Sequence, residues 1–135
     1  MTGTDAADHP LRRELVTEAL RRSSVLWLAL PSAEPPRIAW YAYADASALV
    51  VHEGLEQALP GLEDVATVEV SVRSKDRGSL LVRFTARVEA VRPDDPAWAP
   101  AVAELARARQ SPPDGAAYAE RWERESRITR LVPLP

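Results

Sequence analysis

The strongest constraint on the fold is an alternation of apolar and polar residues in two neighbouring stretches near the middle of the chain. In residues 66–73 and again in residues 80–90, the even-numbered positions are apolar and the odd-numbered positions are mostly polar. Successive side chains of a β-strand point to opposite faces of the sheet, so a period of two marks a strand with one apolar face. The pattern predicts two long, half-buried antiparallel strands.

The same parity sets the register of this hairpin, because residues that face each other must lie on the same side of the sheet. A connecting loop with an odd number of residues meets this requirement. The loop of residues 76–78 (DRG) fits, with glycine in the left-handed conformation that closes a bulge. The register then pairs Val72 with Val82. Further along the strands, it pairs Val70 with Phe84.

Other segments complete a predicted set of six strands around this hairpin. The apolar run VLWLAL has too few residues for a good helix, which indicates a strand buried on both faces. The stretch RIAWYAY alternates in the same way as the central hairpin. The added strands are residues 25–30 (VLWLAL), 37–43 (RIAWYAY), 49–52 and 127–133.

Helical patterns lie at the start of the chain and in its second half. Asp8 and Pro10 suit the beginning of a short N-terminal helix, and residues 1–8 are expected to form a disordered tail before it. The second half of the chain contains two helical segments. The later one places Tyr118 and Trp122 one turn apart. Together the elements predict a mainly β protein with a small, closed or nearly closed antiparallel barrel. A single sheet covered on one face by helices is the alternative.

Composition narrows the classes of function. A chain of 135 residues is expected to form one domain over residues 1–135. The absence of cysteine excludes disulfides and thiolate metal sites, and the distant His9 and His52 give no basis for a metal site. A formal net charge of −3 gives no general attraction to nucleic acid. No run is long and apolar enough to span a membrane, so we expect a cytoplasmic protein.

The basic end of the central hairpin is one candidate for ligand binding. Arg73, Ser74 and Lys75 offer guanidinium, hydroxyl and ammonium donors suited to a phosphate. A charged hairpin tip is also the ordinary way to solvate a turn. Spacing alone leaves both interpretations open.

Aromatic residues give a second candidate. Trp27 and Trp40 lie in consecutive strands, where they fit a core or an interface better than a stack on a planar cofactor. Tyr41 and Tyr43 are predicted to point outward beside Arg37, and such a face could line a subunit interface or a ligand groove.

Catalytic signals are missing from the sequence. It contains no Gly-rich phosphate loop, no GxSxG elbow and no HExxH pair, so no catalytic side chain is nominated. Glu53 and Glu56 fit solvated surface better than an acid/base pair. His52, at a strand end, is expected to be exposed or hydrogen-bonded, with a ligand contact as the alternative.

The order of these parts resembles the pyridoxamine 5′-phosphate oxidase-like family of FMN-binding split barrels. The likeness covers about residues 11–133 and rests on the motifs VRSKD, EQALPG and RWERES taken together. It implies a six-stranded antiparallel Greek-key split barrel with an N-terminal helix and one or two helices in the C-terminal half. It also implies a homodimer with a small-molecule ligand at the subunit interface.

The resemblance implies an FMN site as well. Arg37 matches the family's phosphate-binding arginine by position, but the lysine expected near the end of that strand does not follow. His52 stands where a small hydroxyl residue is usual, and Glu56 with Gln57 occupies the region of a basic pair. The expected cofactor-binding residues are Arg37, Trp40, His52, Gln57, Arg73, Ser74 and Lys75.

The function expected from the resemblance is a flavin-binding, oxidoreductase-like protein. Its substrate cannot be read from these residues. The alternatives are a cofactor-free split barrel that serves as a binding module, or one that binds another ligand such as a deazaflavin or a tetrapyrrole.

Overall fold

The computed structural model describes residues 2–31, 34–73, 81–109 and 117–135, with side chains from residue 12 onward. Within these ranges the chain forms three α-helices and seven β-strands. The helices are α1 (Thr2–Arg22), α2 (Trp98–Ala108) and α3 (Tyr118–Glu125). The strands are β1 (Val25–Leu28), β2 (Arg37–Trp40), β3 (Ala42–Ala44), β4 (Ser47–His52), β5 (Thr67–Arg73), β6 (Leu81–Val91) and β7 (Arg127–Pro133).

The strands form a nearly closed antiparallel barrel. Their order in the seven-stranded sheet is β2-β1-β5-β6-β7-β4-β3. The two edge strands, β2 and β3, are consecutive in the chain and are separated only by Tyr41. Because one short segment pairs with β1 at its start and with β4 at its end, the sheet curls back on itself. The predicted mainly β split barrel is confirmed.

The interruption at Tyr41 explains why the barrel has one more strand than predicted. The amide of Tyr41 donates to the carbonyl of Ser24 at 3.3 Å, outside the strand ladders. The backbone of Trp40 is held by the side chain of Gln57. The expected single strand of residues 37–43 is therefore divided into two.

The register of the central hairpin agrees with the parity argument. Strands β5 and β6 pair Val72 with Val82 and Val70 with Phe84, and all four side chains are buried. The predicted turn at residues 76–78 lies outside the described ranges. Parity together with the three-residue loop length predicted the pairing.

Two apolar cores cover the two faces of β4, and all of its residues are buried. Val50 belongs to the core inside the barrel, which α1 also covers. Leu49 and Val51 belong to a second core outside the barrel, with Leu105 of α2 and Trp122 of α3. Helices α2 and α3 are thereby fixed against the outer wall.

The prediction that Tyr41 points outward was wrong. Its side chain is only 3% exposed, and its hydroxyl donates to the carbonyl of Leu20 at the end of α1. Ala39, Tyr41 and Tyr43 face the core inside the barrel, so the alternation continues through the break and the prediction assigned the two faces the wrong way round. Burial raises the pKa of Tyr41 above its usual value of 10.0, although a hydrogen bond with Ser23 acts in the opposite direction.

Two other boundaries differ from expectation. Strand β1 ends at Leu28 and is not buried on both faces, because Val25 and Trp27 point outward and are half-buried. Helix α1 begins at Thr2, before the start expected at Asp8. No helix in the described ranges has the length and apolar character needed to cross a membrane.

Candidate functional site

A cleft of about 640 Å³ opens where the ends of α1 and α2 meet the divided strand β2–β3. Small-molecule sites usually measure about 300–1,000 Å³, so this cleft could hold a ligand of cofactor size. It combines aromatic, hydroxyl and cationic groups. Its lining includes Arg21, Ser23, Ser24, Trp40, Tyr43, Glu104, Arg107 and Arg109.

Trp40 forms one wall of the cleft. It lies on the outer face of the barrel, opposite Val25 of the neighbouring strand β1. The guanidinium carbon of Arg109 lies 6.0 Å from the centroid of the Trp40 ring, which is a cation–π distance. A flat aromatic ring and a cation therefore stand together at the cleft.

Arg109 is held by a buried carboxylate. Its Nε donates to Oε1 of Glu56 at 2.9 Å. The second oxygen of Glu56 accepts from Nη1 of Arg121 at 3.1 Å and from the indole nitrogen of Trp122 at 2.9 Å. The Glu56 side chain has no exposed surface, so these charge-assisted bonds replace its lost hydration.

The expectation that Glu56 is solvated surface was wrong. Its partners lie far along the chain, in α3 and at the end of α2, and spacing within the loop does not indicate them. The motif RWERES contains Arg121 and Trp122, so the resemblance pointed to the right segment without showing its contact. Arg109 carried no signal in the sequence.

His52 is buried and both of its ring nitrogens have partners. Nδ1 lies 3.0 Å from Oε2 of Glu53, and Nε2 lies 2.9 Å from Oγ1 of Thr129. Burial favours a higher pKa for Glu53, but hydrogen bonds from His52 and from the amide of Leu59 outweigh it. The pKa of Glu53 is lowered below its usual value of 4.5. The expected hydrogen-bonding role of His52 is confirmed, whereas the expected exposure is not.

The side-chain amide of Gln57 makes hydrogen bonds to the protein's own backbone. Its oxygen accepts from the amide of Trp40 at 3.0 Å, while its nitrogen donates to the carbonyls of Trp40 and Val51 at 3.0 and 3.2 Å. The side chain thus joins β2 to β4 where the strand is interrupted. Gln57 therefore holds the backbone of Trp40 in place, and its own side chain does not line the cleft.

The structure does not bring the two expected phosphate-binding arginines to one surface of the chain. Arg73 lies over the ring of Trp27 at 6.0 Å, on the outer face of the barrel. Arg37 pairs with the buried Leu28, so it belongs to the opposite face of the sheet, at the start of β2. Ser74 and Lys75 lie outside the described ranges. Among the expected residues that the structure describes, only Trp40 lines the cleft.

Comparison with known proteins supports the fold class. No protein-family model matches the chain. No curated protein matches it either. Solved structures do, at low sequence identity. The heme storage protein HutZ from Vibrio cholerae aligns with a TM-score of 0.59 and 14% identity, over 90% of this chain and 89% of HutZ.

Two further structures share the architecture. A candidate pyridoxamine 5′-phosphate oxidase from Listeria innocua aligns with a TM-score of 0.58 and 12% identity, over 91% of this chain and 94% of its own. A candidate 5-nitroimidazole antibiotic resistance protein from Bacteroides thetaiotaomicron aligns with a TM-score of 0.60 and 9% identity, over 90% of this chain and 80% of its own. These likenesses show that the chain has the split-barrel fold.

Proposed function

We propose that this protein binds a planar ligand with an acidic group in the cleft beside Trp40, and that FMN is the first candidate. The observation that carries the proposal is the pairing of the Trp40 ring with the fixed cation of Arg109 at the cleft wall. An aromatic ring can stack on a flavin, and guanidinium and hydroxyl groups suit its phosphate.

The donor set of the cleft fits FMN in its chemistry. Arg21, Arg107 and Arg109 line the cleft together with one carboxylate, Glu104. Ser23 and Ser24 add hydroxyl groups. A bound flavin would supply hydride-transfer chemistry, while the chain would anchor and orient it and shield it from water. The protein is then an oxidoreductase-like flavoprotein, and no side chain is assigned a catalytic role.

A homodimer is part of the proposal. The outer face of β1 and β2 carries half-buried Val25, Trp27 and Trp40 together with Ile38, which is 53% exposed. Arg73 covers Trp27 on the same face. Aromatic and arginine residues are enriched at subunit interfaces, so a second copy of the chain is the expected cover for this surface and the neighbouring cleft.

A tetrapyrrole is the second candidate, because HutZ is described as a heme storage protein. The cleft arginines could pair with its carboxylates. However, His52 is committed to Glu53 and Thr129, so it is not available as an iron ligand without breaking those bonds. This contact pattern favours a flavin. A cofactor-free binding module is the outcome if neither ligand binds.

Absorption spectroscopy and titration test the proposal. Protein purified without added cofactor is examined in the visible range and then titrated with FMN and, separately, with haem. We expect FMN to bind at or below tens of micromolar, and Trp40→Ala to weaken it. A colourless protein that binds no FMN in this range contradicts the proposal. Sedimentation at low concentration tests the dimer, and a clean monomer contradicts that part.

A further inference from the structure

A second cavity lies where α1 meets the turn between β3 and β4 and the end of β7. Its volume is about 340 Å³, which falls within the range of about 300–1,000 Å³ for small-molecule sites. Among the described residues, it shares no lining residue with the cleft beside Trp40. It is therefore a separate place where a ligand can bind.

The deepest part of this cavity is apolar. Its most buried lining residues are Val16 of α1 and Phe84 of β6, which are 4% and 5% exposed. Both belong to the core inside the barrel. Pro133 and Leu134 extend the apolar lining toward solvent. An apolar group that covers this surface releases the water in contact with it, so the cavity favours a ligand with an apolar body.

Hydrogen bonds hold the walls of the cavity in place before any ligand binds. Arg12 of α1 donates from Nη2 to the carbonyl of Arg83 in β6. The amide of Leu134 donates to the carbonyl of Thr85, also in β6, at 2.9 Å. Helix α1 and the segment that follows β7 are thus both tied to the same strand. Because the cavity is preformed, little conformational freedom is lost on binding.

Charged groups of both signs stand at the rim. Arg12 and Arg13 contribute guanidinium groups from α1, and Asp45 contributes a carboxylate from the turn between β3 and β4. All three residues are exposed. In the part of the chain that the structure describes, no ion pair joins Asp45 to either arginine. The rim therefore offers a cation and an anion to a ligand that carries both opposite charges.

We propose that this cavity binds a small apolar α-amino acid. The carboxylate of the ligand pairs with Arg13, since Arg12 already bonds to β6, and the ammonium group pairs with Asp45. The apolar side chain of the ligand lies against Val16 and Phe84. A plain carboxylate or a plain amine leaves one side of the rim without a partner, so the zwitterion is preferred.

Three probes with one apolar body separate the contributions of the two charges. L-Phenylalanine carries both charged groups, phenylpropionate lacks the ammonium group and phenylethylamine lacks the carboxylate. Titrations followed in ¹H–¹⁵N spectra of the intact labelled protein give the site and the affinity together. We expect L-phenylalanine to bind with a Kd of about 1 mM or lower and to shift the amides of Ala46 and Leu134. The other two probes should bind about threefold more weakly, or worse.

Substitutions at the rim test each contact. Asp45→Asn keeps the shape of the side chain, and asparagine tolerates the φ of 53° at this position. It should abolish the preference for L-phenylalanine over phenylpropionate. Arg13→Gln should abolish the preference over phenylethylamine. Arg87→Gln is the control and should change neither, since Arg87 pairs with Glu89 on β6 and does not line the cavity.

The wild-type titrations decide the proposal even if a variant fails to fold. Equal affinities for the three probes overturn it, as does the absence of L-phenylalanine binding at about 10 mM. Shifts confined to the cleft beside Trp40 overturn the location. If a folded Asp45→Asn keeps the wild-type preference, the role of Asp45 is wrong. The FMN titration reports on the cleft alone, so failure of either proposal leaves the other in place.

Discussion

Gln57 offers the sharpest test of how the barrel is held at its interruption. Its amide makes three hydrogen bonds to the backbone of Trp40 and Val51. Gln57→Met keeps a side chain of similar length and removes all of them. Each net bond contributes roughly 0.5–1.5 kcal/mol, and a buried partner left unsatisfied costs about 1–3 kcal/mol. We expect the free energy of unfolding to fall by about 2–4 kcal/mol.

This loss is large against the roughly 5–15 kcal/mol that stabilise an ordinary domain. Urea unfolding followed by tryptophan fluorescence measures it, with the slope of the transition as a check on two-state behaviour. Glu63→Ala is the control in the same loop, because its exposed pair with Arg127 should contribute less than about 1 kcal/mol. If Gln57→Met changed the free energy of unfolding by less than about 0.5 kcal/mol, the structural role of Gln57 would be refuted. The expected role of Gln57 as a ligand-binding residue would then be the better explanation.

Three further substitutions test local features of the fold. Tyr41→Phe should cost about 1 kcal/mol at pH 7 through the lost bond to Leu20, with no alkaline loss of stability from this site. In the wild type, the pKa of Tyr41 is raised in the folded state, so stability should fall above about pH 10 as the unfolded tyrosine ionises. Urea unfolding of both proteins at pH 7 and above pH 10 measures this loss, and an equal alkaline loss in the wild type and Tyr41→Phe would contradict it. Gly54→Ala should destabilise by about 1–3 kcal/mol, because φ is 68° and a Cβ would lie 2.9 Å from the carbonyl of Glu125; an unchanged Tm contradicts it. Ala46→Gly should raise Tm slightly, since Ala46 has φ 57° in the turn between β3 and β4, and a lower Tm would contradict the relief of strain.

Patterns local in sequence predicted most of the fold. Parity and loop length together predicted the pairing of β5 with β6, because a shift of one residue would expose every valine of the inner face and a shift of two would change the loop. The helical spacing of Tyr118 and Trp122 was confirmed by their ring contact, with centroids 5.0 Å apart. These features depend on neighbouring residues, so the sequence carries them directly.

The candidate site was less predictable, because its contacts join distant segments. Glu56 meets Arg109 and Arg121 across separations of 53 and 65 residues, and no local pattern encodes such contacts. Tyr41 follows the alternation of its strand, but the alternation did not show which of the two faces lies inside the barrel. The resemblance marked Glu56 and Gln57 as unusual without showing that both are used inside the protein.

Indole resonances of the tryptophans test the central claim most directly. In ¹H–¹⁵N spectra of the labelled protein, assigned by single substitutions, the addition of FMN should shift the indole signal of Trp40. Trp27, which lies under Arg73 at the other end of the outer face, should respond less. A Trp40 signal that stays in place while Trp27 moves would put the ligand at the hairpin end. An unchanged spectrum at saturating FMN would contradict a flavin site in this protein.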